Sequence, residues 1–268
     1  MSATVFYFTG TGNSLLAAEN IAGKLAVSRV VPLVAAARGD KITVTDDVVV
    51  FVFPVYAAGI PALVERSLAN IQINGSPYIA AVATCDSSAG AALGIFDKCL
   101  HRFCSRGLDA GWIVYMPGNY TPLYGADSPE KTSRKLASAE SRINEIASAV
   151  CNRQKHRIET IPEPFSWLPE ISWRIFAMNV KRAGNHFRAS ADCTGCGLCA
   201  KVCPVDNITL NSKNRPKWHD HCEQCMACLQ FCPVEAIQCF WWTRGRRRYH
   251  HPQLTVEKLA AQKSCPDN

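Results

Sequence analysis

Eight cysteines between Cys193 and Cys232 fall into two copies of one pattern, C-x-x-C-x-x-C-x-x-x-C-P-V. The first copy holds Cys193, Cys196, Cys199 and Cys203, and the second Cys222, Cys225, Cys228 and Cys232. Thiolates are soft ligands, and three of them at this spacing wrap one corner of an iron–sulfur cube from a tight loop. In the paired bacterial form the cysteine before the proline serves the other cube. That rule assigns Cys193, Cys196, Cys199 and Cys232 to one [4Fe–4S] cluster, and Cys222, Cys225, Cys228 and Cys203 to a second. Gly195, Gly197 and Ala227 are small enough to let the loops close. Zinc is the competing chemistry. It takes CxxC knuckles in pairs and needs neither a third regularly spaced cysteine nor the trailing Cys-Pro. An isoleucine at the same offset after each copy extends the repeat, so the two units form a pseudo-symmetric pair around one core. Cys85, Cys99, Cys104, Cys151, Cys239 and Cys265 fit no ligand position and read as small buried residues or inert thiols.

A second chemistry is suggested by FYFTGTGNS at residues 6–14. An apolar strand ends at Phe8 and a helical pattern starts near Ser14. Between them Thr9, Gly10, Thr11, Gly12, Asn13 and Ser14 offer backbone N–H groups and hydroxyls at a helix N-terminus, which suits a phosphate. The loop has no Lys or Arg, so dipoles rather than charges must hold the anion. It is not the dinucleotide fingerprint, whose third glycine would be Leu15, nor a P-loop, which needs Gly-Lys-Ser/Thr.

The elements that must position these residues follow from periodicity. Apolar runs at 4–8, 30–33, 48–53, 78–84 and 112–116 read as strands, and 14–26, 60–69, 89–106 and 130–151 as helices. Near-continuous apolar strands alternating with helices mean a parallel sheet covered on both faces. The expected class is α/β: a flavodoxin-like, doubly wound, five-stranded parallel sheet of order 2-1-3-4-5, followed by a small α+β two-cluster ferredoxin-like domain. In such a sheet FMN lies at the switch point, at the carboxyl ends of the strands. The loops expected around its ring carry Pro54, Val55, Tyr56, Ala57 and Gly59; Thr84, Cys85, Asp86 and Gly90; and Pro117, Gly118, Asn119 and Tyr120. Tyr56 and Tyr120 can stack on or edge the ring, and Asn119 can address its polar rim.

The expected domains are 1–157 for FMN, 158–188 as a connector rich in proline and aromatics, 189–242 for the clusters, and 243–268 as a basic extension. In the connector Pro162, Pro164 and Pro169 interrupt helical continuity. Phe165, Trp167, Trp173 and Phe176 supply apolar surface for core packing, since the cationic face that a membrane-surface helix needs is thin. Arg244, Arg246, Arg247 and Arg248, interleaved with Trp241, Trp242 and Tyr249, read either as charges that are solvated or balance the clusters, or as a docking patch for an acidic redox partner. The formal net charge is +7. Two clusters at about −2 each and a flavin phosphate at about −2 bring it near +1, so nucleic acid is not an expected partner. MSATVFYFTG lacks a basic start and apolar stretch, and the longest uncharged run, 48–64, is broken by Pro54, Gly59 and Pro61. The expectation is a cytoplasmic protein without a transmembrane segment, where clustered cysteines bind metal rather than form disulfides.

Taken together, TGTGNS, FPVYAAGIP, ATC, MPGNY, the doubled cysteine motif and RRRY with the following Pro252 resemble the flavodoxin–ferredoxin fusion proteins, the EFR-type "ferrodoxin" family. The resemblance runs from the N-terminus to about Pro252 and implies FMN and two [4Fe–4S] clusters as cofactors. Members often carry an acidic residue where Gly118 stands here. The expected function is electron transfer that interconverts one- and two-electron currency between redox protein partners. The alternative is a flavin-dependent oxidoreductase that reduces a small organic acceptor with electrons fed through the clusters. No catalytic acid–base pair or nucleophilic triad stands out.

Overall fold

The computed structural model describes residues 1–161, 165 and 167–264; Pro162 and Pro164 of the connector and Cys265 lie outside them. Five strands, β1 (Ser2–Tyr7), β2 (Val27–Pro32), β3 (Val48–Pro54), β4 (Tyr78–Cys85) and β5 (Ala110–Tyr115), form one parallel sheet in the order β2-β1-β3-β4-β5. This is the doubly wound 2-1-3-4-5 arrangement, with its switch point between β1 and β3. The central strand β3, VVVFVFP, is buried along nearly its whole length, as a strand covered on both faces must be.

Helices α1 (Asn13–Ala22) and α5 (Pro129–Cys151) cover one face around Val5, Val50, Val82 and Ile143. Helices α2 (Leu33–Arg38), α3 (Ala62–Leu68) and α4 (Ala92–Cys104) cover the other. There Phe6 stacks on Phe51 at 5.1 Å, and Phe96 closes on Phe51 and Phe53. Sequence periodicity misses α2 and a short parallel pair, Ile42–Val44 with Ile71–Ile73, because six- and three-residue segments are too brief to show a period.

The connector forms α6 (Trp167–Asn179) and a 3-10 turn, Val180–His186. Within α6 Trp173 is the buried residue. Its indole Nε1 donates to the Ile60 carbonyl at 2.7 Å, and its ring lies against Gly59, where a Cβ would collide with it. Phe165, Trp167, Leu168, Ile171, Ile175 and Met178 are exposed, so core packing absorbs less of this segment than its composition suggests.

The cysteine repeats follow. Strand β6 (Phe187–Ala189) pairs antiparallel with β9 (Ile237–Cys239), and β7 (Ile208–Leu210) with β8 (Pro216–Trp218). Each repeat builds a single helical turn that contains its third cysteine: α7 (Leu198–Lys201) and α8 (Ala227–Gln230). The chain then returns to the first region, where Leu254 and, in α9 (Val256–Ala260), Leu259 join the core under α1 and α5. Among the described residues no helix is long and apolar enough to cross a membrane.

Candidate functional site

A cavity of about 350 Å³ opens at the carboxyl ends of β1, β3, β4 and β5, beside the switch point. Of the loop residues singled out in the sequence, Thr9, Gly10, Thr11, Asn13, Ser14, Pro54, Val55, Tyr56, Ala57, Thr84, Cys85, Asp86, Pro117, Gly118, Asn119 and Tyr120 line it. Gly12, Gly59 and Gly90 do not, and their reason for being glycine lies elsewhere. A Cβ on Gly12, whose φ is +103°, would lie 2.7 Å from Leu254 Cδ2 and 2.9 Å from His251 Cβ. Gly59 yields to Trp173, and Gly90 to Ala58. Gly10 does line the cavity, but on its other side a Cβ would run into the carbonyl oxygen of Cys225.

The 9–14 loop is braced by its own side chains. Thr9 Oγ1 accepts from Gly12 N at 2.9 Å, Ser14 Oγ meets Thr84 Oγ1 at 2.8 Å, and Asn119 Nδ2 donates to Thr11 Oγ1 at 2.7 Å. Asn13 Nδ2 donates to the Pro117 carbonyl at 3.0 Å, while Asn13 Oδ1 accepts from Tyr249 Oη at 2.7 Å. The Asn13 and Asn119 amides therefore fasten the loops to one another. Helix α1 starts at this loop with no side-chain cap and no acidic residue in its first turn. An uncapped helix N-terminus carries partial positive charge and free N–H donors, a setting that favours an anion.

Tyr56 supplies the cavity's apolar side, edge-on to Phe8 and to Phe176 at 6.4 Å each. Its hydroxyl is buried and has no hydrogen-bond partner among the described residues. Burial, and then the neighbouring Cys225, Glu223 and Cys222, hold that hydroxyl well above the usual phenol range, so it remains a donor. Burial likewise pushes the Cys85 thiol up to about 12, which makes it a poor nucleophile. At Gly118 a side chain would meet Tyr124 and the Asp86 carboxyl, whose Cγ is 2.9 Å from the Cβ position. The Asp86 carboxylate thus lies beside the space that a side chain at residue 118 would take. Lys135 of α5 hydrogen-bonds Asp86 and forms an ion pair with Asp127 at 2.7 Å.

The eight motif cysteines ring two separate hollows. One is lined by Cys193, Cys196, Cys199 and Cys232, the other by Cys203, Cys222, Cys225 and Cys228. Each set draws its fourth sulfur from the opposite repeat. Burial pushes the Cys199 thiol up to about 11, and its thiol neighbours are Cys196, Cys193 and Cys232. The thiols around Cys228 are Cys225, Cys203 and Cys222. Among the described residues no three His, Cys, Asp or Glu side chains converge tightly enough to hold a single metal ion. Four thiols around a hollow suit a multi-iron cube better than a tetrahedral zinc ion.

The two hollows differ in surroundings. The first is lined only by residues 193–237, and Cys196 is exposed. The second lies against the parallel sheet's domain: Cys225 packs against the cores on both faces of the sheet. Beside it Glu223, whose side chain is only 1% exposed, accepts from Arg66 Nη2 at 2.6 Å and from Leu63 N at 3.0 Å. Helix α3 starts at Pro61 without a side-chain cap, so Glu223 provides its capping bond from another domain. Burial raises the Glu223 carboxyl, and Arg66 and the Leu63 N–H pull it back.

Ala58, Ser87, Ser88, Leu123, Tyr124, Phe176 and Gln224 also line the cavity and escape the sequence reading. Ala58, Ser87 and Ser88 lie inside the loops read from the motifs, between residues already named, and Leu123 and Tyr124 just beyond the third loop. Phe176 and Gln224 arrive from the connector and the second cysteine loop, and only the comparison of the repeats marks Gln224. The basic stretch forms a strap. Arg246 Nη1 donates to the Thr121 carbonyl, Arg248 Nη2 to the Ile237 carbonyl, and Trp242 Nε1 to the Pro122 carbonyl. Arg244 and Arg247 remain exposed. Beyond them His251 N donates to the Thr11 carbonyl at 2.8 Å.

Residues 186–233 match the family model described as "4Fe-4S dicluster domain", so this region is an iron–sulfur module. Comparison with curated proteins returns no match. Among solved structures, an FMN-dependent NADH-azoreductase from Bacillus anthracis str. Ames Ancestor in complex with FMN shares 12% identity at a TM-score of 0.38, covering 57% of this chain and 100% of that one. A flavodoxin from the domain Archaea shares 15% at 0.32, covering 56% and 99%. A flavoprotein from Bacteroides uniformis ATCC 8492, titled putative, shares 15% at 0.35, covering 51% and 97%. The flavodoxin-like strand order rests on its own hydrogen-bond register, independent of these likenesses.

Proposed function

We propose that this chain is a cytoplasmic electron-transfer iron–sulfur flavoprotein of the flavodoxin–ferredoxin fusion type. It is divided as residues 1–157 for FMN, 158–188 as connector, 189–242 for two [4Fe–4S] clusters and 243–268 as extension. The observation that carries the reading is the contact between the two sites. The backbone of Cys225 lies against Gly10 of the 9–14 loop, and Gln224 lines the cavity that the loop borders. A cluster ligand and a phosphate-type loop share a wall.

FMN exchanges one or two electrons and a [4Fe–4S] cluster one, so the pair converts between the two currencies. The chain's residues bind and orient. The N–H groups at the start of α1 face the phosphate, with Gly12 held by Thr9 Oγ1. Tyr56 offers an unpaired hydroxyl and an aromatic face, and Tyr120 and Tyr124 close the opposite loop. The Asp86–Lys135 pair sets the local charge. The exposed Cys196 loop is the side from which a redox protein approaches.

The test is anaerobic purification followed by an absorption spectrum and analysis of iron, sulfide and flavin. The expected result is a brown protein with about eight irons and about one FMN per chain. Stoichiometric zinc without acid-labile sulfide, or cluster-loaded protein that takes up no FMN, overturns it.

A further inference from the structure

The two cysteine repeats are offset by 29 residues, as Cys196 and Cys225 show, and their backbones repeat as well as their ligands. Left-handed residues recur at that offset: Gly195 (φ +74°) and Gln224 (+52°), Gly197 (+76°) and Met226 (+64°), Asp206 (+52°) and Glu235 (+48°). In the first two pairs the first repeat uses glycine, for which this conformation is unstrained. The second repeat places side chains there, at a cost in backbone free energy. For Met226 the compensation is visible, since it is buried in the core of the cysteine module.

Gln224 has no such explanation. It is half-buried. Its backbone N–H donates to Cys222 Sγ at 3.3 Å, and among the described residues nothing bonds its side-chain amide. What distinguishes it from Gly195 is its place. Gly195 abuts Asn214 within its own module, whereas Gln224 lines the cavity at the sheet's carboxyl edge. An unpartnered amide on a strained backbone, held between a cluster ligand and that cavity, points to a ligand contact.

We propose that Gln224 contacts the flavin, and that the loop carrying it makes the cluster of Cys203, Cys222, Cys225 and Cys228 the inner one of the pair. The cluster at the exposed Cys196 is the outer one. This rests on the reading above that the cavity holds FMN. The side chain supplies a donor and an acceptor from the cysteine loop, so flavin and inner cluster share one rigid segment.

The experiment is FMN titration of the full chain, cluster-loaded and stripped of flavin, followed by fluorescence quenching under anaerobic conditions. Iron content and thermal midpoint are measured on the same samples. Gln224→Gly removes the contact and relieves the backbone, so FMN dissociation should weaken about three- to tenfold. The midpoint without FMN should rise by about 2–4 °C, with iron unchanged. Gln224→Asn tolerates the left-handed backbone and keeps a shorter amide, so it should weaken FMN less than Gln224→Gly does. Equal FMN affinity in wild type and Gln224→Gly, with iron intact, overturns the proposal. A lowered midpoint or lost iron in both variants also overturns it, by assigning the residue to the fold alone. Wild-type protein that binds no FMN instead overturns the reading of the cavity itself.

Discussion

The two cysteine loops share spacing, helical turn and backbone conformation, yet they serve different neighbourhoods. The loop at 193–199 holds its hollow with local residues and leaves Cys196 in solvent. The loop at 222–228 is set into the other domain: Cys225 lies against Gly10, and Glu223 caps α3. Position for position, Gly195 becomes Gln224 and the exposed Thr194 becomes the buried Glu223. A duplicated unit has thus kept its ligands and changed the residues between them. The difference teaches that ligand spacing defines a cluster site, whereas the residues in between decide what the site is joined to.

The comparison breaks most sharply at the ligands. Cys225→Ala and Cys196→Ala should each reduce iron from about eight to about four per chain. Only Cys225→Ala should also weaken FMN, by about tenfold, because it alone unseats the wall of the cavity. Equal flavin loss in both variants, read by fluorescence titration, would erase the distinction between inner and outer loops.

A smaller effect separates the glycines. In Gly10→Ala the new methyl meets the Cys225 carbonyl, and neither backbone can yield cheaply. A loss of about 3 kcal/mol is expected by denaturant unfolding, with iron lost from the second site. Gly195→Ala should cost about 1–2 kcal/mol, because it forces a left-handed alanine against the Asn214 side chain. It should spare the flavin.

The smallest contrast lies next to the ligands. Glu223→Gln leaves Arg66 without its carboxylate and should cost about 2 kcal/mol. That value is below the range for a fully buried pair because the Arg66 side chain is 35% exposed. Thr194→Val, at the equivalent exposed position, should stay within about 0.5 kcal/mol of wild type. Thermal midpoints of the two variants give the comparison, and equal values would remove Glu223 as a clasp between domains.

The sequence reveals what depends on neighbours in the chain. The apolar run at 48–54 can only be a strand buried on both faces, and the sulfur sets of the two hollows follow from the proline after each fourth cysteine. It hides what depends on distant partners. Gly10 and Gly12 look like residues that make way for a phosphate, yet a side chain on either would run into protein: Cys225 in one case, Leu254 and His251 in the other. Arg246 and Arg248 sit in a run that reads as a solvated face or a docking patch, because their carbonyl acceptors, at Thr121 and Ile237, carry no sequence signature. The exposed stripe of α6 has the composition of a core helix, and only packing shows that Trp173 alone is used as one.

The strap around Tyr249 and His251 also bears on biogenesis. Tyr249 bonds Asn13 and His251 bonds Thr11, so a loop made early is secured by a segment that lies 236 residues downstream of it. A nascent chain can form the five-stranded sheet early, but its 9–14 loop waits, partly unbraced, until the strap beyond the cysteine module has been translated. A product cut before Tyr249 would keep the sheet and leave Asn13 Oδ1 and the Thr11 carbonyl without these two donors.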